Sequence, residues 1–215
     1  MNTPTLPTLY YVHDPMCSWC YALAPTWHRI ESAVADSITV QYVVGGLAPD
    51  SDQPMPEDLK AYIQNCWRRI QAVVPGTEFN FDFWTHCQPR RSTYPSCRAV
   101  LTAKHFGPHY EAQMIEKIQH AYYREARNPS DIDTLCELAG EIGIDVPAFR
   151  DRIGSEACEI ELQVDLNKTR ALGVRGFPSL VLETDVGITL VRHDYSDPRV
   201  TLEGLNALLG GNLGL

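Results

Sequence analysis

Residues 13–21 read HDPMCSWCY, and the two cysteines in that run, Cys17 and Cys20, stand where one hydrophobic pattern gives way to another. Upstream, residues 9–12 are apolar, aromatic and β-branched, the mark of a short buried strand. Downstream, from Cys17 to about Ala35, the pattern is helical, with Trp27, Ile30 and Val34 on one face. His13-Asp14-Pro15-Met16 breaks the strand from the helix, and Pro25 is expected to kink the helix. The first turn of a helix presents unpaired backbone N–H groups and the positive end of the macrodipole, so a thiolate at Cys17 is stabilised there. Cys20 lies one turn further on, within reach and more enclosed. This is the arrangement that dithiol exchange requires: Cys17 attacks or is attacked, and Cys20 resolves the mixed disulfide. Half of a zinc site is the competing reading, but a closed tetrahedral site needs a second Cys-x-x-Cys or a His pair. The chain has no second Cys-x-x-Cys, His86-Cys87 alone is not a ligand pair with good spacing, and Cys66, Cys87, Cys97, Cys136 and Cys158 are scattered.

Working outward, residues 38–44 read as a second strand, parallel to the first through a right-handed βαβ crossover. Residues 45–56 are turn-rich and leave the sheet. From residue 57 to about 168 the patterns are helical with no convincing strand. Helices are expected at 57–73, 95–105, 109–123, 131–142, 147–153 and 155–172, with Pro95, Pro147 and Ser155 as starts and Gly107, Gly143 and Gly173 as stops. The sheet returns at 179–183 and 188–192, joined by Asp185-Val186-Gly187, and a last helix covers 199–209 before a glycine-rich tail. The layout is α/β: βαβ, a long helical insertion, then ββα. It predicts a discontinuous domain of residues 1–48 and 159–215 and an insertion of 49–158.

Composition bounds the function classes. The chain has 215 residues, 44% hydrophobic and 21% charged, ordinary for a globular protein with a real core. Its net charge of −9 argues against a nucleic-acid partner. No run has the ~18 apolar residues of a membrane span, and the first 15 residues lack the basic and apolar regions of a signal peptide. A cytoplasmic protein is therefore expected. Seven cysteines is an odd count, so in a reducing compartment a disulfide is more readily catalytic than structural.

A second element lies far away: Gly173-Val174-Arg175-Gly176-Phe177-Pro178-Ser179. A proline just before a buried strand removes a ladder donor. A cis Phe177–Pro178 bond in a tight turn would explain it, and so would an ordinary trans proline at the strand start.

Together, HDPMCSWCY, the helical insertion and G-x-x-G-x-P before a hairpin resemble the DsbA-like branch of the thioredoxin superfamily, over essentially the whole chain. HDPMCSWCY is especially similar to a signal-less group related to FrnE, described as protein-disulfide isomerases. The resemblance implies a thioredoxin fold carrying a large α-helical insertion. It implies a thiol–disulfide oxidoreductase that needs no metal or organic cofactor, with protein thiols and disulfides, or glutathione as co-substrate, for partners. Pro178 matches the family's cis-proline and Phe177 the residue whose backbone pairs with substrate. Ser18-Trp19 replaces the Pro-His dipeptide of the best-known member, removing a histidine that stabilises the thiolate. Potentials from about −270 to −120 mV stay open. A glutathione-dependent transferase or isomerase, of the kappa-class or 2-hydroxychromene-2-carboxylate isomerase type, is the alternative, although those enzymes usually carry a lone serine or thiol.

Other residues are candidates for the site. His13 is placed to tune Cys17 or relay protons to Cys20, or only to pack at the strand end. Asp14 shapes the turn. Ser18 and Trp19 lie between the cysteines, Trp19 as an apolar lip for substrate or as a lid. Cys97 follows Thr93-Tyr94-Pro95-Ser96 and falls in the first turn of its helix, either a third reactive thiol or a small core residue. Cys136 reads as core. Arg68-Arg69 and Arg90-Arg91 are solvated faces or, if they gather near the dithiol, a carboxylate-binding patch. Gly45-Gly46 and Gly210-Gly211 match no phosphate-binding fingerprint.

Overall fold

A computed structural model describes residues 6–211 and 213; residues 1–5 of the leader reading, and residues 212, 214 and 215 of the tail, lie outside it. A continuous run of apolar and aromatic residues, buried on both faces, makes Thr8–His13 (β1) an inner strand of a four-stranded sheet. On one side it pairs in parallel with Thr39–Val44 (β2), in the register Leu9 to Val40 and Val12 to Val43. On the other it pairs antiparallel with Ser179–Thr184 (β3), which in turn pairs antiparallel with Gly187–Val191 (β4) at the sheet edge. Ser18–Val34 (α1) is the crossover between β1 and β2.

Period-2 alternation decides what each sheet face covers. Leu9, Tyr11, Leu180, Leu182 and Val191 meet Leu23, Trp27, Ile30 and Val34 of α1 and Leu205 of the last helix, Arg199–Leu208 (α9). The opposite face carries Tyr10, Val12, Val43 and Val181 against Leu172 and the partly buried Val174 and Phe177. Between β2 and β3 come Glu57–Val73 (α2), Phe83–His86 (α3), Tyr94–Phe106 (α4), Pro108–Tyr123 (α5), Ile132–Glu141 (α6), Val146–Ile153 (α7) and Glu156–Ala171 (α8). They have cores of their own. One is aliphatic and spans α4 to α8; the other is aromatic, built from Trp67, Phe79, Phe83, Tyr122 and Tyr123, and takes in Ala22 of α1. Among the described residues no helix is long and apolar enough to cross a membrane.

The sheet, its parallel first pair and the run of helices stand as expected from the sequence, and several details differ. The first strand runs on through His13, which pairs with Val44, because the His13 carbonyl accepts the Gly45 N–H (2.6 Å) and the ring is buried among aromatics. The break is thus Asp14-Pro15-Met16 alone. The one-turn α3 and the short bridge between Pro54 and Arg90 carry no periodic signal and were not expected. Gly187 belongs to β4 rather than to the turn. The 158/159 boundary falls in the first turn of α8, which touches both parts: it packs on α4 and β2, and its Asp165 accepts the Val44 N–H (2.9 Å).

Candidate active site

Cys17 is the N-cap of α1, with extended backbone (φ −82°, ψ 116°), so it sits just ahead of the helix's unpaired N–H groups. Four interactions hold the loop that delivers it. The Asp14 carboxylate accepts the Met16 N–H (2.8 Å), the Asp14 carbonyl accepts the Cys17 N–H (2.9 Å), and the Cys17 carbonyl accepts the Tyr21 N–H (3.0 Å). From the insertion, the Tyr123 hydroxyl donates to the Met16 carbonyl (2.7 Å). Cys17 is 6% exposed and Cys20 is fully buried one turn below it. Both are free thiols. Burial pushes the Cys20 thiol well above its ordinary pKa, and the neighbouring Cys17 sulfur pushes it further. Tyr11, Tyr123 and Tyr195 surround the pair, and burial, reinforced by the sulfurs, holds their phenols protonated.

Some 160 residues on, the Cys17 thiol donates to the Phe177 carbonyl (3.5 Å), and the Phe177–Pro178 peptide bond is cis. The Phe177 ring lies over Gly45, where a Cβ would stand 2.0 Å from Cε1, so only glycine leaves the ring its place. Phe177 thus meets the dithiol, with Pro178 next to it across the cis bond. Ser18 and Trp19 do too: both are half-buried and face the same cavity, with Trp19 packed on Tyr195 (ring centroids 4.9 Å apart).

The other candidates fall elsewhere. His13 is fully buried, stacked on Tyr11 (5.2 Å) and edge-on to Tyr42 (5.8 Å), with neither ring nitrogen hydrogen-bonded. Burial, helped by the Lys104 charge, lowers its pKa to about 3, so the ring stays neutral. Cys97 is also fully buried in the first turn of α4, its thiol aimed at the Asp14 carboxylate (3.7 Å). Asp14 does more than shape a turn. Its buried carboxylate also accepts the Leu47 N–H (2.6 Å) and the Thr93 hydroxyl (2.6 Å), tying the dithiol loop to the chain after β2 and to the start of α4. Burial raises its pKa, against those hydrogen bonds. Cys136 is core, as expected.

A cavity of about 450 Å³ opens on Cys17. Its walls come from both parts of the molecule: Met16, Cys17, Trp19 and Phe177 on one side, and Ile63, Cys66, Trp67 and Tyr122 on the other. Arg90, Arg91 and Arg175 reach it, whereas Arg68 lies over Phe81 (5.2 Å) away from it. Arg90 is bound to Asp131 (2.5 Å); among the described residues Arg91 and Arg175 make no ion pair. The sequence reading reached Arg90 and Arg91 through their adjacency and missed Cys66, Arg175, Gly45, Thr93 and Tyr123. Their one signal was the proximity of Arg175 to Pro178. Among the described residues no group of three His, Cys, Asp or Glu side chains is placed to hold a metal ion.

Comparison with known proteins bears on this site. A family model described as Thioredoxin matches residues 10–192. A provisionally assigned protein disulfide isomerase from Nitrosomonas europaea superposes with a TM-score of 0.86 at 25% identity, covering 97% of this chain and 100% of that one. The cytosolic disulfide reductase DsbM of Pseudomonas aeruginosa superposes at 0.74 and 26%, covering 94% and 98%, and has also been solved with GSH. The ClpXP adapter protein SpxH of Halalkalibacterium halodurans is 23% identical over 82% of this chain, which spans 58% of that protein's length.

Proposed function

Because this chain belongs to the thioredoxin family, with the fold of the DsbA-like oxidoreductases, we propose that it is a thiol–disulfide oxidoreductase acting through Cys17 and Cys20. The observation that carries the reading is two sulfurs side by side at a helix N-terminus, one facing a cavity and the other sealed beneath it. Cys17 attacks a substrate disulfide and forms a mixed disulfide. Cys20 then attacks Cys17, releasing the second thiol and leaving a Cys17–Cys20 disulfide. Phe177 and Pro178 form the clamp, the backbone beside the cis peptide pairing with extended substrate. Trp19 and Ser18 line the approach.

The reductive direction is favoured. Ser18-Trp19 has no histidine to add to the helix N-terminus in stabilising a Cys17 thiolate, so the pair lacks one feature of a strong oxidant. The similarity to a cytosolic disulfide reductase supports the same direction and a cytoplasmic setting. Arg91 and Arg175 beside the dithiol suit an anionic thiol such as glutathione, and the relative solved with GSH supports it as co-substrate. Two adjacent thiols speak for exchange over a glutathione transferase working from a single one.

The test is equilibration in glutathione redox buffers, with thiols trapped by alkylation. A single two-electron transition is expected, nearer to about −270 than to −120 mV, and lost in Cys17→Ser. Absence of a Cys17–Cys20 disulfide at every poise would overturn the reading.

A further inference from the structure

The cavity is lined by a second thiol that the exchange reaction as written leaves unused. Cys66 projects from α2 into the same space as Cys17, among Tyr62, Ile63 and Trp67. It is half-buried and makes no hydrogen bond among the described residues. The remaining cysteines differ in kind. Cys97, Cys136 and Cys158 are buried, and the Cys87 thiol is taken up by the Ala126 carbonyl (2.9 Å). Among the described residues Cys66 is therefore the one thiol outside the dithiol that makes no hydrogen bond and lines the cavity. That cavity is of small-ligand size, and Arg91 and Arg175 give it two cations that make no ion pair among the described residues.

We propose that Cys66 is a capture site for small anionic disulfides, which it takes up as mixed disulfides and passes to Cys17. The proposal rests on the oxidoreductase reading above and deepens it. The Cys66 thiolate attacks one sulfur of R–S–S–R. The Cys66–S–S–R bond forms, the R–S–S–R bond breaks, and R–S⁻ leaves and takes up the proton that Cys66 released. The Cys17 thiolate then attacks the R-side sulfur of the adduct, forming Cys17–S–S–R and expelling the Cys66 thiolate. Cys20 attacks the Cys17 sulfur and expels the second R–S⁻. The net change is one disulfide reduced to two thiols, with Cys17 and Cys20 oxidised by two electrons and supplying the two protons. Cys66 returns unchanged. Holding the disulfide inside the cavity makes its reaction with Cys17 intramolecular, and the arginines select anionic R groups.

The probe is oxidised glutathione, followed by intact-mass measurement and peptide mapping. In Cys17→Ser the expected result is one stable glutathionyl adduct on Cys66, formed at least about tenfold faster than any on Cys87. In the wild type that adduct is transient and decays at a rate independent of protein concentration as the Cys17–Cys20 disulfide appears. At limiting oxidised glutathione, both Cys66→Ser and Cys66→Ala slow oxidation of the dithiol by about fivefold or more, whereas Cys87→Ser leaves it at the wild-type rate. Labelling of Cys66 no faster than of Cys87, or wild-type oxidation rates in both Cys66 variants, overturns the proposal while the dithiol transition stands. Labelling of Cys66 with no Cys17–Cys20 disulfide at any poise overturns the transfer together with the oxidoreductase reading.

Discussion

His13 shows how far a residue's neighbours in space can override its neighbours in sequence. It stands four positions before Cys17, yet its ring is turned into an aromatic stack, with both nitrogens buried and unpaired. An unpaired buried polar group costs about 1–3 kcal/mol. The lowered pKa of about 3 also makes stability depend on pH. Below about 6.5 the unfolded chain takes up a proton that the native ring refuses, so this residue's contribution falls by ~1.4 kcal/mol per pH unit until about pH 3, and is flat above 6.5. His13→Leu should remove that loss. In urea titrations the variant is expected to gain about 2 kcal/mol on the wild type between pH 7 and pH 5; an unchanged gap would mean that the ring titrates in the fold. Cys17 and Cys20 were legible because their spacing and the change of period around them are local. The burial of His13 depends on Tyr42, from the next strand, and the meeting of Cys66 and Arg175 in one cavity on a fold that joins positions more than a hundred residues apart; neither leaves a local trace.

Among the elements, the β1–α1 loop and the turn before β3 carry the chemistry, and one glycine lets them meet. Gly45, directly after β2, leaves room for the Phe177 ring beside the Cys17 thiol. In Gly45→Ala the new methyl group would lie 2.0 Å from the ring, so the ring and the carbonyl that Cys17 faces have to move. Overpacking of this kind costs about 1–3 kcal/mol. The variant should melt earlier and show a raised KM for disulfide substrate; unchanged melting and KM would mean that the ring yields freely. Glycine and proline punctuation made most helices legible: α2 begins and ends at the expected residues, and Ser155 caps α8 by accepting the Cys158 N–H (3.2 Å). The role of Gly45 was not, since nothing near it marks Phe177 as its neighbour.

Across the whole molecule, a net charge of −9 is set against arginines gathered at one cavity. The acidic surface repels anions over long range, so a charged substrate is drawn in only close to Arg91 and Arg175. Such attraction is screened over ~10 Å at 0.1 M salt. Raising ionic strength from about 20 to about 500 mM should lower kcat/KM for oxidised glutathione several-fold and leave that for the uncharged hydroxyethyl disulfide within about twofold. Equal responses would remove the arginines from substrate binding. The α/β layout was legible at this scale because two strand-and-helix patterns bracket a long helical one. How the insertion supports the site was not, for Tyr123 reaches the Met16 carbonyl only after α5 has docked.

The order of the strands bears on how the chain comes to be folded as it is made. The inner strand β1 finds β2 within some thirty residues, but its other neighbour, β3, follows about 170 positions later, Leu9 lying opposite Leu182. On the ribosome, one edge of this inner strand is therefore bare while the entire insertion is translated. The helices α2 to α8 have cores of their own and can condense in that interval. Until the final hairpin emerges, the nascent protein has an organised helical body and an open sheet edge, the state in which it depends most on chaperones.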